Sequence, residues 1–176
     1  MRLLLIILLT PFLCVGQKLF VEDSKLSFYS WAPIEDITAQ SNTLEGVVDF
    51  ETGDFFFRVS INSFTFPSSL MQKHFNEKYM ESDQYSLSSF QGHFQDKISI
   101  HKHEITTVAA EGLLNIHGVK QKVIIYTDLD IKNDIITFSA DFNVLLKDYK
   151  IKVPKIVRMN IADTIQVNVS GQLIKK

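Results

Sequence analysis

Period two dominates this chain. Leu26 and Phe28 alternate with Lys25, Ser27 and Tyr29, which predicts a strand with one buried face and one wet face. A second extended stretch, from about Glu35 to Phe50, carries Ile37, Ala39, Leu44, Val48 and Phe50, read as a single apolar face. Thr52-Gly53-Asp54 supplies a turn, since glycine adopts positive φ without a Cβ clash. The third strand sets Phe55, Phe57, Val59 and Ile61 against Phe56, Arg58, Ser60 and Asn62. Phe64 and Phe66 continue on the opposite parity, a one-residue slip that predicts a β-bulge near Asn62-Ser63. Pro67 and Ser68 end the strand, and Ser68 is placed to cap a helix over Ser69–Tyr79, where Leu70, Met71, Phe75 and Tyr79 recur at helical spacing.

Strands resume near Ser86. Phe90, Gly92 and Phe94 share one face, and Val108, Ala110, Gly112, Leu114 and Ile116 share the next. Gly118 turns the chain into Val123, Ile125, Leu129 and Ile131; Asn133-Asp134 turns it into Ile136, Phe138, Ala140, Phe142 and Val144. After a loop containing Pro154, the last strand carries Ile165, Val167, Val169, Gly171 and Leu173. Eight strands joined by short turns make an all-β, antiparallel fold with one helix after the third strand. A two-sheet sandwich and a closed barrel both satisfy that pattern. Strand length favours the barrel, because several runs exceed the common 5–6 residues and closure removes the long edges they would expose.

Four glycines, Gly46, Gly92, Gly112 and Gly171, fall within strands on the apolar parity, joined there by Ala110 and Ala140. Small side chains among large ones leave space inside a barrel, although strand glycines also mark bends. An eight-stranded barrel is of the size that either fills with its own side chains or holds one ligand. The inward aromatics Phe28, Phe50, Phe57, Phe90, Phe94, Phe138 and Phe142, with Leu114, Ile125 and Val167, form an uncharged lining. Only an apolar guest suits such walls, since an unpartnered polar group loses its hydration. The helix would cover one mouth, with Met71, His74, Phe75 and Tyr79 nearest the guest and His74 facing either its polar head or a seam of the barrel.

Residues 1–16 stand apart. Met1-Arg2, an apolar run from Leu3 to Leu9 and small Gly16 have the layout of a cleavable export signal, too short to span a bilayer. Cleavage after Gly16 would leave 17–176 as one domain, without a stable membrane span, in a periplasmic or secreted setting. The single cysteine, Cys14, leaves with the signal; lipid attachment there is disfavoured by bulky Leu13. The mature domain then has no thiol for a disulfide, metal or nucleophile.

Charge is nearly balanced, 18 basic residues against 20 acidic, with no block of one sign, so a nucleic-acid surface is not expected. His101-Lys102-His103-Glu104 offers two histidines on one side of an extended segment but no third ligand, and reads as a solvated turn rather than a metal site. Nucleophile-elbow, phosphate-loop and zinc-helix patterns are absent from the sequence. No cofactor and no catalytic set are expected; a binding protein is. The other reading is a filled barrel acting through its outer surface as an interaction or stress-related adaptor.

Three segments resemble the YceI-like family: Met71 to Asp83 followed by Tyr85, Phe90 and Gly92; Gly112 to Val119; and Asp148-Tyr149-Lys150-Ile151. The resemblance covers about Ser24 to Leu173. It implies a lipocalin-like barrel, bacterial export and a long-chain apolar lipid partner such as a polyisoprenoid. Ser86 stands where the family often has proline after the tyrosine, and Lys120-Gln121-Lys122 replaces its usual Thr-Lys-Pro.

Overall fold

The computed structural model describes residues 18–33, 36–100, 105–132, 135–154 and 161–176. Residues 1–16, read above as an export signal, Glu35, the 101–104 histidine cluster and the expected Asn133-Asp134 turn lie outside them. Among the described residues, nine strands form one antiparallel sheet: β1 (Lys18–Ser30), β2 (Ile37–Ser41), β3 (Glu45–Asp49), β4 (Asp54–Ser60), β5 (Leu87–Phe94), β6 (Ile105–Ile116), β7 (Val119–Lys132), β8 (Ile135–Leu145) and β9 (Thr164–Ile174). Each of β3 to β8 pairs with the next, β1 lies beside β2 and β3, and β9 returns to β1. The sheet is closed.

Closure has eight wall positions because β2 and β3 share one. Lys18–Phe20 pairs with Val47–Asp49, and Leu26–Ser30 pairs with Ile37–Ser41 in the same continuing register. The stretch predicted from about 35 to 50 is thus one barrel position broken at 42–44. Its apolar residues do not keep one parity: Ala39 and Ser41 are buried on odd positions, Val48 and Phe50 on even ones. β1 slips in the same way. Leu19 is buried before Asp23, Leu26 and Ser30 after it, and Asp23 takes a left-handed φ of 46° while the pairing to β9 shifts register. One extra residue on each strand cancels the other, so the pair stays in step.

The second parity change has a different cause from the one expected. Between Ser60 and Phe64 the chain makes a 3-10 turn, Ile61–Ser63, instead of a β-bulge. Ile61 stays buried, and Ser63 Oγ donates to the Ser60 carbonyl at 2.6 Å. The helix forms where predicted. α1 (Ser69–His74) continues as a π-type turn, Phe75–Tyr79, closed by Met80 N donating to Phe75 O at 2.9 Å. Ser68 caps it, its hydroxyl accepting from Met71 N.

Two ends of the barrel differ. At the floor, Leu19, Val48, Phe50, Phe55, Phe94, Leu129, Ile131, Ile136 and Leu173 pack as a dry cluster. At the other end, a 3-10 turn after β8 (Leu146–Tyr149) buries Tyr149, and Ile61, Met80, Leu114, Val144 and Ile151 gather round it. His117 ties this end together. It takes a left-handed φ of 51° in the tight β6–β7 turn with Gly118, a conformation that matches the twist of a two-residue hairpin. Its ring meets Glu81 Oε2 through Nε2 at 2.8 Å and the Tyr149 carbonyl through Nδ1 at 3.2 Å.

Candidate functional site

Inward-facing positions are set by the alternation of the strands, and several stop short of filling the centre. Phe28, Phe57, Phe90, Phe142 and Val167 all point inward, yet each is only half-buried. Their remaining accessible surface faces a cavity of about 450 Å³, within the ~300–1,000 Å³ usual for ligand pockets. Phe94, Leu114, Ile125 and Phe138 complete the wall.

Phe50 is the exception. It has the inward parity but sits in the floor cluster, stacked on Phe94 at 6.0 Å, and does not touch the cavity. Alternation fixes which side a residue faces, not how high it stands. The lining also includes Leu44, Phe64 and Phe66, which alternation placed on apolar faces but not in the lining, and Met80, Ile151 and Ile161, which periodicity did not offer; all six are supplied by loops and turns.

The strand glycines do not create the space. Phe57 lies over Gly46, where an added Cβ would come within 2.9 Å of its ring, and Phe138 covers Gly171 at 2.8 Å. Those rings meet each other at 5.9 Å. Gly92 and Gly112 face each other across β5 and β6, each against the partner's backbone. All four sites are occupied by neighbours; the void lies above them, between half-buried side chains.

Depth follows from β9. Ile165 and Leu173 both line the cavity, eight residues apart. At ~3.3 Å per residue and a tilt of ~40°, that separation is about 20 Å along the barrel axis. Spread over that depth, a volume of about 450 Å³ makes the cavity long and narrow.

On the helix side, Met71, His74, Phe75 and Tyr79 all line the cavity. Phe75 is wedged among Phe28, Phe64 and Phe66, with ring centroids at 5.5, 5.9 and 4.9 Å. The His74 ring has no hydrogen-bond partner among the described residues. Burial raises the Tyr79 phenol above its ordinary pKa, which keeps it neutral there. Ser30, Ser88 and Ser89 add hydroxyls to the lining. Arg58 reaches the rim, but its guanidinium is paired with Glu45 at 2.6 Å. No cluster of three metal-ligating side chains occurs among the described residues. No described helix is long and apolar enough to cross a membrane.

Comparison with known proteins follows this geometry. The family model described as a YceI-like domain matches residues 18–173. No curated relative matches the chain by sequence. Among solved structures, it is similar to a polyisoprenoid binding domain from Saccharophagus degradans implicated in plant cell wall breakdown. That match has a TM-score of 0.77 at 14% identity and covers 92% of this chain and 99% of the other. Burkholderia cenocepacia BcnA superposes with a TM-score of 0.72 at 13% identity, covering 85% and 95%. The Campylobacter jejuni YCEI protein gives 0.65 at 15% identity, covering 83% and 89%.

Proposed function

Because this chain belongs to the YceI-like family, we propose that its barrel is a carrier for one long apolar chain of the polyisoprenoid kind. The observation that supports this most is a deep, narrow bore whose aromatic walls keep unspent apolar surface. A guest gains by desolvating itself and those rings together, at about 0.8 kcal/mol per methylene before ordering costs. The solved domain of S. degradans, described as polyisoprenoid binding, has the same fold and agrees with this reading. His74, Tyr79 and the mouth serines would meet a hydroxyl or other neutral head. A signal-like segment at residues 1–16 supports export to the periplasm or beyond. A filled barrel acting only by its surface has less in its favour, given about 450 Å³ of interior space. Among the described residues no cluster of three metal-ligating side chains occurs, which favours binding over metal-assisted catalysis.

Affinity for farnesol, geranylgeraniol and longer polyprenols, measured by displacement of a fluorescent fatty acid, tests the idea. Each added methylene should tighten binding about threefold to fourfold until the bore is full. A series flat with chain length would remove the proposal.

A further inference from the structure

The wall of the barrel is incomplete between β7 and β8. Cross-strand pairing runs only from Lys132↔Ile135 to Asp128↔Ser139. Continuing that register would set Thr127 against Ala140 and Ile125 against Phe142, and neither pair is made. Each strand remains bonded on its other side, β7 to β6 along its length and β8 to β9 as far as Leu145↔Thr164. Two strand edges therefore face each other unzipped. Long open edges are a liability that sheets ordinarily pair or cover.

Part of the gap is covered. The Leu146–Tyr149 turn sits against β7, where Gln121 Nε2 donates to the Asp148 carbonyl at 2.8 Å, and Tyr149 and Ile151 are buried beside it. Below that plug and above the Asp128–Ser139 rung lies an unpaired seam edged by 124–127 and 140–143. Four residues of strand make it about 13 Å tall. Ile125, Thr127, Ala140 and Phe142 on its two edges all line the central cavity. On its outer lip, Ile124 is 48% and Tyr126 67% exposed.

Among the described residues, two other routes to the cavity are obstructed. The dry cluster seals the floor, and Phe75 with its three aromatic neighbours stoppers the mouth. Passing the helix would require that cluster to come apart; passing the seam breaks no ladder bond. We propose that an apolar chain enters and leaves sideways through the β7–β8 window, with Ile124 and Tyr126 as its outer lip. This rests on the carrier reading above.

The two routes can be told apart in the full chain with Cys14 replaced by Ser, which removes its one thiol. Tyr126→Cys on the lip and Leu70→Cys on the helix, both at exposed positions, are each coupled to a bulky maleimide. Release of bound dansyl-undecanoic acid into excess geranylgeraniol is then followed by stopped-flow fluorescence. The group at position 126 should slow release about tenfold and uptake equally, because an obstructed path raises both barriers and leaves the equilibrium alone. The group at position 70 should change release less than about twofold. Slowing from position 70 alone, or equal effects at both sites, would overturn the window. If unlabelled protein takes up neither compound, the carrier reading itself fails and carries this inference with it.

Discussion

Gly92→Ala and Gly46→Ala form a matched pair that asks what each glycine is for. At Gly92 an added Cβ would lie 2.5 Å from Gly112 Cα and 2.8 Å from the Glu111 carbonyl carbon, both backbone atoms of β6. Nothing flexible is there to yield, so β5 and β6 must part. Overpacking costs about 1–3 kcal/mol, and each ladder bond loosened costs about 1 kcal/mol more. The stiffer unfolded chain of the alanine variant returns only about 0.4–1 kcal/mol. A net loss of about 2–3 kcal/mol is expected, which for a chain of this size lowers Tm by roughly 5–10 °C. At Gly46 the obstacle is chiefly the Phe57 ring, 2.9 Å from the added Cβ at Cε1, with the Phe56 carbonyl oxygen at 3.0 Å. That ring borders empty space and can swing into it. Gly46→Ala should therefore cost about 1 kcal/mol or less, while narrowing the bore and weakening ligand binding. Urea unfolding followed by tryptophan fluorescence, beside a ligand titration, reads both effects. Equal destabilisation by the two variants, or a Gly92→Ala protein as stable as the parent, would refute the distinction between backbone and side-chain obstacles.

Two further outcomes follow from the end of the barrel around His117. Burial pushes the Tyr149 phenol up to about 12, with a smaller push from Asp148. The fold thus favours its neutral form. The stability this supplies is complete below the ordinary tyrosine pKa of 10 and disappears as pH rises from there through about 12. The loss is on the order of 2 kcal/mol. Tyr149→Phe should flatten that alkaline limb, and identical limbs in both proteins would count against it. His117→Ala removes the contacts to Glu81 and the Tyr149 carbonyl and leaves a left-handed φ without its ring. It should cost about 2 kcal/mol and speed amide exchange over 81–85; unchanged exchange there would contradict the clamp.

Alternation made β5 to β9 legible because each keeps one phase from end to end. Ile136, Phe138, Ala140 and Val144 are buried on one parity with no interruption. Phase changes were where the reading strayed. A slip at 61–63 looks the same in sequence whether the backbone makes a bulge or a 3-10 turn, since either adds an odd residue. The break at 42–44 does carry a signal that the single-face reading passed over: Ile37 and Ala39 stand on odd positions, Leu44, Val48 and Phe50 on even ones, with polar Ser41-Asn42-Thr43 between them. Phe50 shows a second limit, as its parity says inward while its height puts it in the floor. Counting glycines showed small residues but not the Phe57 and Phe138 rings that cover two of them. The β7–β8 window left no trace at all: both strands keep alternating past the last rung, because inward residues there still face the cavity.

The twin slips at Asp23 and at 42–44 behave as compensating frameshifts within the folded wall. With the slips kept, deleting one residue from the rest of β1 alone would turn Leu26, Phe28 and Ser30 inside out, and deleting one from the partner would evert Ala39 and Ser41 instead. Shortening both together keeps every side chain on its own side. Length in this corner of the barrel can therefore change only in couples, which makes it poor ground for grafted loops and a sensitive place to look for insertions that arrive in pairs.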